Sequence, residues 1–295
     1  MKAKLIRILL NLSARLPFSV SHRLGNWLGM LMQRFNNQQR HVAQINLNRC
    51  FPELDPVEQR QLLRDTLRET GKLLFESGHL WLGDEAHVSR LVQEVHGEEH
   101  IKNGLTSGKG VILAVPHLGN WEVLGVYCSS RYPMTSLYRP PRVEGIEILI
   151  RQARERFGAK LAPTNAKGIR ALYQALANNE LVAILPDQDP RDSGGVFAPF
   201  FGIQTNTMTL LSRLVSKSQA TVLCSYAERL SDNRGFAIHF EPAPAGIYAK
   251  NVEESVTALN QMVEQSIRRI PTQYQWGYKR FRTRPAGEKN IYDEP

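Results

Sequence analysis

A histidine and a glutamate stand five residues apart in the stretch AVPHLGNWEVLG, residues 114–125. An apolar run at 111–115 leads into it, so a buried strand is predicted to end just before His117. On one continuous helix, residues five apart lie about 140° apart around the axis, and the two side chains would not meet. They can meet if His117 lies in a loop and Glu122 in the first turn of a helix that Asn120 caps.

This geometry predicts general-base chemistry. Glu122 would accept a hydrogen bond from one imidazole nitrogen of His117, and the other nitrogen would face a cleft as a proton acceptor. The nucleophile would then be a hydroxyl group of the substrate, and no nucleophilic side chain is required from the protein. The alternative is a surface histidine near a helix start, where the helix dipole favours a glutamate.

The elements around this pair alternate between short apolar runs and helical stretches beyond Gly97. Strands are predicted at 111–115, 134–138, 181–185, 221–226 and 236–240, and helices at 122–130, 146–157, 167–177, 208–218 and 252–270. Such alternation is typical of an α/β fold with a mixed, mostly parallel central sheet flanked by helices. Sites in these sheets lie beyond the carboxyl ends of the strands, where 117–122 and PDQDPRDSGG (186–195) both fall.

The first 52 residues form a basic arm that contains no Asp or Glu, although the whole chain has a net charge of +9. On a helix, its polar stripe would consist of Lys4, Arg7, Asn11 and Arg15. Leucines and isoleucines fill the adjacent stripe, so this is a basic amphipathic helix. It would either attach to an anionic membrane surface or pack on the protein's own core. The arm lacks the basic and aromatic interleaving of a nucleic-acid module, so no nucleic-acid partner is expected.

The arm also lacks 18 consecutive uncharged residues, so no ordinary transmembrane span is predicted in it. We therefore divide the chain into a membrane-associating arm at 1–52 and an α/β catalytic domain at 53–295. The second part opens with Asp55, Pro56 and Glu58, which fit the N-cap, N1 and N3 positions of a helical capping box. Cys50, Cys128 and Cys224 are widely spaced and predict neither a disulfide framework nor a metal site.

Six short motifs follow one another along the chain: HLGNWE (117–122), LYRPPR (137–142), RERFGAKL (154–161), ILPDQD (184–189), FAPFFG (197–202) and QWGYKRFRTRP (275–285). The first resembles the H-x4-D/E box of the lysophospholipid acyltransferase superfamily. Together the six motifs, in this order, resemble the bacterial late acyltransferases of lipid A biosynthesis. The resemblance covers most of the chain, including the arm.

The resemblance implies an O-acyltransferase on the cytoplasmic face of the bacterial inner membrane. Such enzymes move a fatty acyl chain from acyl carrier protein to a hydroxyl of a lipid A precursor, and they need no metal and no organic cofactor. His117 and Glu122 would be the catalytic pair. The residues assigned to substrate binding are Asn120, Arg139, Arg154, Asp187, Gln188 and Phe201. The alternatives are a different lyso- or glycolipid acceptor, or a non-catalytic lipid-binding protein on the same fold.

Several of these residues have a second interpretation. Arg139 is either a phosphate or oxyanion ligand or part of a structural ion pair, and Arg154 either acts in the site or pairs with a nearby aspartate. The D-x-D spacing of 187–189 also fits a metal site of sugar transferases, although pocket wall and arginine partners suit it better. Phe201 belongs either to the core or to the wall of an acyl channel. The basic residues of 279–284 either face phosphates or form a solvated tail.

Overall fold

A computed structural model of the protein describes residues 2–140, 147–191 and 194–293. The helices of these residues are α1 (Lys2–Arg15), α2 (Phe18–Arg34), α3 (Gln38–Cys50), α4 (Pro56–Leu82), α5 (Glu85–Leu91), α6 (Glu98–Thr106), α7 (Trp121–Ser129), α8 (Glu147–Glu155), α9 (Ala166–Ala177), α10 (Leu210–Ser218) and α11 (Val252–Arg269). The strands are β1 (Val92–His96), β2 (Val111–Ala114), β3 (Met134–Tyr138), β4 (Ala159–Pro163), β5 (Leu181–Ile184), β6 (Gly195–Phe200), β7 (Ile203–Met208), β8 (Thr221–Arg229) and β9 (Phe236–Pro242).

A seven-stranded sheet with the order β1-β9-β8-β2-β5-β3-β4 forms the centre of the protein. Strand β9 is antiparallel to β8, and the other neighbouring strands of this sheet are parallel. Every residue of β2 and β5 is buried, as expected for strands covered by helices on both faces. The predicted fold class, a mixed and mostly parallel sheet flanked by helices, is therefore confirmed.

The strands that the sequence pattern did not predict are β1, β4 and the antiparallel hairpin of β6 and β7. Strands β1 and β4 are the two edges of the sheet, and several of their residues are exposed, so neither carries a continuous apolar run. Met208, predicted to begin a helix, ends β7 instead, and α10 begins at Leu210. Part of the predicted pattern lies outside the described residues, namely Ile146, the 141–142 end of LYRPPR, and Asp192 with Ser193.

Successive residues of each central strand face opposite sides of the sheet. Ile112 and Val182 pack into a core formed with α9, α10 and α11. Leu113 and Ala183 pack into a second core, to which α6 and α7 contribute. The loop that contains His117 leaves β2 at the carboxyl end of the sheet and leads directly into α7. The site therefore lies at the carboxyl ends of the central strands, on the α7 side of the sheet.

Helices α1 and α2 of the arm pack against α4. Glycines allow α2 and α4 to approach closely, since a Cβ atom on Gly71 would lie 2.1 Å from the carbonyl oxygen of Gly25. The predicted apolar stripe of α1 is divided, because Leu10 is buried whereas Ile8 and Leu12 are 55% and 50% exposed. None of the described helices has both the length and the apolarity needed to cross a membrane.

Helix α4 begins with the capping box that the sequence predicts. The carboxylate of Asp55 accepts hydrogen bonds from the backbone N–H groups of Val57 and Glu58, at 2.6 and 2.9 Å. The Glu58 carboxylate in turn accepts one from the backbone N–H of Asp55 at 2.9 Å. These reciprocal bonds satisfy donors that the first turn of a helix leaves free, so the 27-residue α4 has a well-defined start.

Candidate active site

A tight loop places His117 between β2 and α7. Gly119 has a positive φ of 62°, and a Cβ atom there would lie 1.9 Å from the carbonyl oxygen of Ala227, so only glycine fits. The backbone N–H of Gly119 donates to the carbonyl of Gln273 at 3.0 Å, and that of Asn120 donates to Ala227 at 2.8 Å. The loop is thereby attached to β8 and to the segment that follows α11.

Asn120 is the N-cap of α7, as predicted. Its side-chain oxygen accepts from the backbone N–H groups of Glu122 and Val123 at 3.1 and 3.4 Å. Its side-chain nitrogen donates to Oε2 of Glu76 at 2.7 Å. Asn120 is fully buried by these contacts and does not line the pocket described below. The structure thus places Asn120, which the sequence assigns to substrate binding, outside the cavity with both ends of its amide engaged inside the protein.

His117 is oriented by Asp187, which follows β5. The imidazole Nδ1 lies 2.8 Å from Oδ1 of Asp187, and the backbone N–H of His117 donates to Oδ2, also at 2.8 Å. An ionised carboxylate only accepts hydrogen bonds, so the proton is on Nδ1 and the lone pair is on Nε2. The side-chain nitrogen of Gln188 donates to that Nε2 at 3.1 Å. His117 is therefore in the tautomer that a general base at Nε2 requires.

Asp187 is held as an anion even though it is buried. Burial alone would raise the pKa of its carboxyl group, but the imidazole and the backbone N–H of His117 outweigh burial and hold this pKa below its usual value. The side chain of Asp187 is 2% exposed and that of His117 is 12% exposed. The edge of the Trp121 ring packs against the imidazole, with the ring centroids 4.8 Å apart. The ring is thus fixed on two sides, and His117 still lines the cavity described below.

Glu122 does not bond to His117, and the predicted hydrogen bond between them is wrong. Its carboxylate accepts from Nε and an Nη of Arg154, a residue of α8, at 3.1 and 2.5 Å. Burial alone would raise the pKa of Glu122, but Arg154 more than compensates and lowers it. A buried carboxylate in the first turn of α7 needs a partner that uses both oxygens, and the planar guanidinium of Arg154 supplies it.

Asp187, which orients His117, follows β5, and β5 lies next to β2, the strand that precedes His117. Strands β2 and β5 are parallel neighbours in register, with Ala114 opposite Ile184. Their carboxyl ends therefore bring the two polar clusters of the sequence, 117–122 and 186–195, to the same place. That signal was present in the sequence, but it indicated only that the clusters meet and not which carboxylate bonds to the imidazole.

A cavity of about 960 Å³ opens beside His117. Its inner part is apolar and runs between α7 and the sheet; this part is lined by Leu113, Val115, Leu124, Val126, Met134, Ala159 and Ala183. Gly125 also faces it, and a Cβ atom there would meet no atom within 4 Å. Near the imidazole the lining is polar and includes Arg154, Gln188 and Tyr278. The exposed mouth carries Arg139, Arg191 and Arg213.

Phe201 lies in the core and not in this cavity. Its ring contacts those of Phe51 and Trp276, with centroid distances of 5.3 and 5.7 Å, and the residue is 7% exposed. Of the two interpretations of Phe201, the structure favours the core, because the hairpin of β6 and β7 turns this residue toward α3 and α11. Phe197, in the same motif, is exposed and does not line the cavity.

The other ambiguous polar residues have structural partners. Asp189 lines the cavity, but its carboxylate accepts from Asn206 and from the backbone N–H groups of Arg191 and Thr283, at 2.8 to 3.0 Å. Arg280 is buried and donates to the backbone carbonyl of Asn206 and to the hydroxyl of Thr207. The segment 279–284 is therefore not a solvated tail.

The sequence matches the family model described as bacterial lipid A biosynthesis acyltransferase over residues 3–283. A lipid A biosynthesis palmitoleoyltransferase of Escherichia coli is 30% identical over 282 residues, which are 94% of this chain and 90% of the relative. A lipid A biosynthesis lauroyltransferase of the same organism is 28% identical over 95% of this chain and 91% of its own length. A lipid A biosynthesis acyltransferase of Haemophilus influenzae is 29% identical, with 96% and 87% of the two chains covered.

Proposed function

Because the chain belongs to the bacterial lipid A biosynthesis acyltransferase family, we propose that it transfers a fatty acyl chain from acyl carrier protein to a hydroxyl group of a lipid A precursor. One observation above all supports this proposal. The Nε2 lone pair of His117, set by Asp187, lies where the polar and apolar parts of one cavity meet. An acyl thioester needs the apolar part, and a hydroxyl to be deprotonated needs the base.

In the proposed reaction, the acceptor hydroxyl replaces Gln188 as the hydrogen-bond partner of His117 Nε2. The imidazole takes the hydroxyl proton as the oxygen attacks the thioester carbonyl, and the carboxylate of Asp187 stabilises the imidazolium that forms. The tetrahedral intermediate then collapses, the carbon–sulfur bond breaks, and the imidazolium returns its proton to the leaving thiolate. His117 is thereby regenerated, and the reaction needs no nucleophile from the protein.

The oxyanion of the intermediate needs hydrogen-bond donors. The N–H groups of Glu122 and Val123 at the start of α7 are already bonded to Asn120, which excludes them from this role. The amide of Gln188, released from His117 by the incoming hydroxyl, is free to donate. Arg154 lines the same part of the cavity, and its bond to Glu122 keeps its guanidinium in place. We therefore assign the oxyanion to Gln188 and Arg154.

The mouth of the cavity suits a phosphorylated acceptor. Three arginines, Arg139, Arg191 and Arg213, are exposed there, and phosphate oxygens are favourable partners for guanidinium groups. The relatives are named for different acyl chains, palmitoleoyl and lauroyl, so the chain length used here must be read from the inner end of the cavity. A neutral lysolipid would leave the three charges at the mouth without partners.

We further propose that the arm lies on the cytoplasmic face of the inner membrane. The outer surface of α1 and α2 combines exposed apolar and basic residues: Arg7, Ile8, Leu12, Arg15, Arg23, Trp27, Met30 and Arg34. Apolar side chains that enter the boundary of a bilayer, beside cations that meet anionic lipid, are typical of interfacial helices. The division of the chain at residue 52 into arm and catalytic domain stays a prediction.

Purified protein tests the proposal directly. The donor is acyl carrier protein loaded with chains of several lengths, and the acceptors are a lipid A precursor, its dephosphorylated form and a neutral lysolipid. We expect transfer to the phosphorylated precursor, and His117→Ala to lower kcat about 10²- to 10⁴-fold while the protein stays folded. Equal transfer to the neutral lysolipid would refute the lipid A acceptor. Activity of His117→Ala within a few fold of wild type would refute the base.

A further inference from the structure

A second charged cluster lies behind the loop of His117, outside the cavity. Glu76 of α4 is completely buried. Its carboxylate accepts two hydrogen bonds from Arg229 of β8, both at 2.7 Å. It also bonds to the imidazole Nε2 of His22 in α2 at 2.8 Å and to the side-chain nitrogen of Asn120 at 2.7 Å. One carboxylate thus joins an arm helix, the sheet and the start of α7.

Glu76 is ionised in the folded protein. Burial alone would raise its pKa, but Arg229, with help from His22, outweighs burial and lowers that pKa to about 2. Buried ion pairs of this kind add little net stability, because removing both charges from water costs about as much as their attraction returns. Well-packed apolar residues could fill the same space. A fully bonded carboxylate instead fixes the orientation of the groups around it, since each oxygen has its donors at fixed angles.

Asn120 connects this fixed orientation to the loop that contains His117. Because a carboxylate only accepts, the amide of Asn120 must turn its nitrogen to Glu76 and its oxygen to the N–H groups of Glu122 and Val123. Asn120 is followed by Trp121, whose ring packs against the imidazole of His117. The position of the base therefore depends on the rotamer of one buried amide, and Glu76 selects that rotamer.

We propose that Glu76 is a positioning residue for acyl transfer, acting through Asn120 on the loop of His117. The inference rests on the proposed role of His117 as the base. It also gives helix α2 a place in the scaffold of the site, because His22 holds the same oxygen of Glu76 that Arg229 Nε holds. The arm is then more than an attachment to the membrane.

Exchanging the carboxylate and the amide between positions 76 and 120 tests this proposal. Asn120→Asp still caps α7 but sets a carboxylate against Glu76. Glu76→Gln places an amide NH₂ group opposite the donors of Arg229 or Asn120. The double variant, Glu76→Gln with Asn120→Asp, restores one hydrogen bond with its polarity reversed and keeps the net charge of the wild-type protein. Each single change should lower kcat about 10- to 100-fold, with the KM for the acyl donor changed less than about threefold.

The double variant should be more active than either single variant, and this rescue separates positioning from plain structural damage. Glu69→Gln is the matched control, because Glu69 is on the same helix, near Arg229 at 3.8 Å, and makes no bond to Asn120. This change leaves every bond of Glu76 in place, so it should keep kcat close to that of the wild type. Losses that simply add in the double variant, or single variants with wild-type kcat, would overturn the proposal.

Hydrogen exchange supplies a readout that does not need activity. The backbone N–H groups of Glu122 and Val123 should exchange faster in the single variants and more slowly again in the double variant. If the wild-type protein showed no transfer but exchange followed this pattern, the proposed function would fail and the positioning contact would stand. If Glu76→Gln did not fold, Asn120→Ser would replace it, since serine caps a helix but cannot donate as the amide does. Wild-type kcat and exchange in Asn120→Ser would refute the inference.

Discussion

Replacing Asp187 by Asn tests whether Asp187, and not the predicted Glu122, orients His117. The change preserves shape and removes one charge. In the wild-type protein Oδ1 and Oδ2 accept from the imidazole Nδ1 and from the backbone N–H of His117, each at 2.8 Å. An Asn side chain has one acceptor, and the backbone N–H cannot rotate away. The Asn oxygen therefore stays on the backbone, and its NH₂ group faces Nδ1.

The consequence is a change of tautomer. An NH₂ group opposite Nδ1 requires a lone pair there, so the proton moves to Nε2 and the base is lost. The imidazolium of the transition state also loses its anionic partner. We expect kcat to fall about 10³- to 10⁴-fold, as in serine proteases, where the same change of the triad aspartate leaves the histidine in the wrong tautomer. At about 1.36 kcal/mol per factor of ten, that is about 4 to 5 kcal/mol of transition-state stabilisation.

The assay is single-turnover transfer with purified protein and loaded carrier protein, and thermal unfolding confirms that the variant is folded. Glu122→Gln is the comparison. It weakens the pair with Arg154, so it should lower the unfolding temperature and reduce kcat less than Asp187→Asn does. If Glu122→Gln lost as much activity as His117→Ala while Asp187→Asn stayed within tenfold of wild type, the assignment of Asp187 would be refuted.

Three further changes probe the cavity, its mouth and the arm. Gly125→Leu fills open space beside the apolar lining, so donor preference should shift to shorter chains in a competition between loaded carrier proteins; an unchanged preference would contradict this. Arg139→Ala should raise KM for the phosphorylated acceptor and leave the dephosphorylated one unaffected, whereas an equal effect on both acceptors would argue against a phosphate contact. Arg7→Gln with Arg15→Gln should weaken sedimentation with anionic vesicles by about 1 kcal/mol per residue and reduce its salt dependence; unchanged binding would mean that apolar insertion alone attaches the arm.

The sheet could be predicted from the sequence because its central strands are buried on both faces. Most of the five predicted strands are rich in apolar residues and can be recognised without knowledge of their neighbours. Edge strands β1 and β4 could not be found in this way, because exposed residues interrupt their pattern. The N-cap at Asn120 and the capping box at Asp55 were predictable for a similar reason, since both act within a few residues of sequence.

The partners in the site could not be predicted, because they are set by tertiary proximity. His117 and Glu122 are close in sequence, but the side chain that reaches the imidazole is Asp187, 70 residues further on. Arg154, which forms the ion pair with Glu122, belongs to α8, and the position of that helix depends on the whole α7 side of the protein. Phe201 illustrates the same limit, since a motif of aromatic residues does not reveal which side of a hairpin faces the core.

The cavity beside His117 also borders one half of the protein's core. Residues such as Leu113, Met134 and Ala183 line the cavity and belong to the core on the α7 side of the sheet. Unfilled space in an apolar core costs stability, so an alkyl chain that enters this cavity should stabilise this half of the molecule. In the proposed reaction the acyl group fills this space, and we expect an alkyl-tailed detergent of suitable length to compete for it. The detergent chosen for purification therefore becomes a ligand, and the unfolding temperature will depend on its concentration and its tail length.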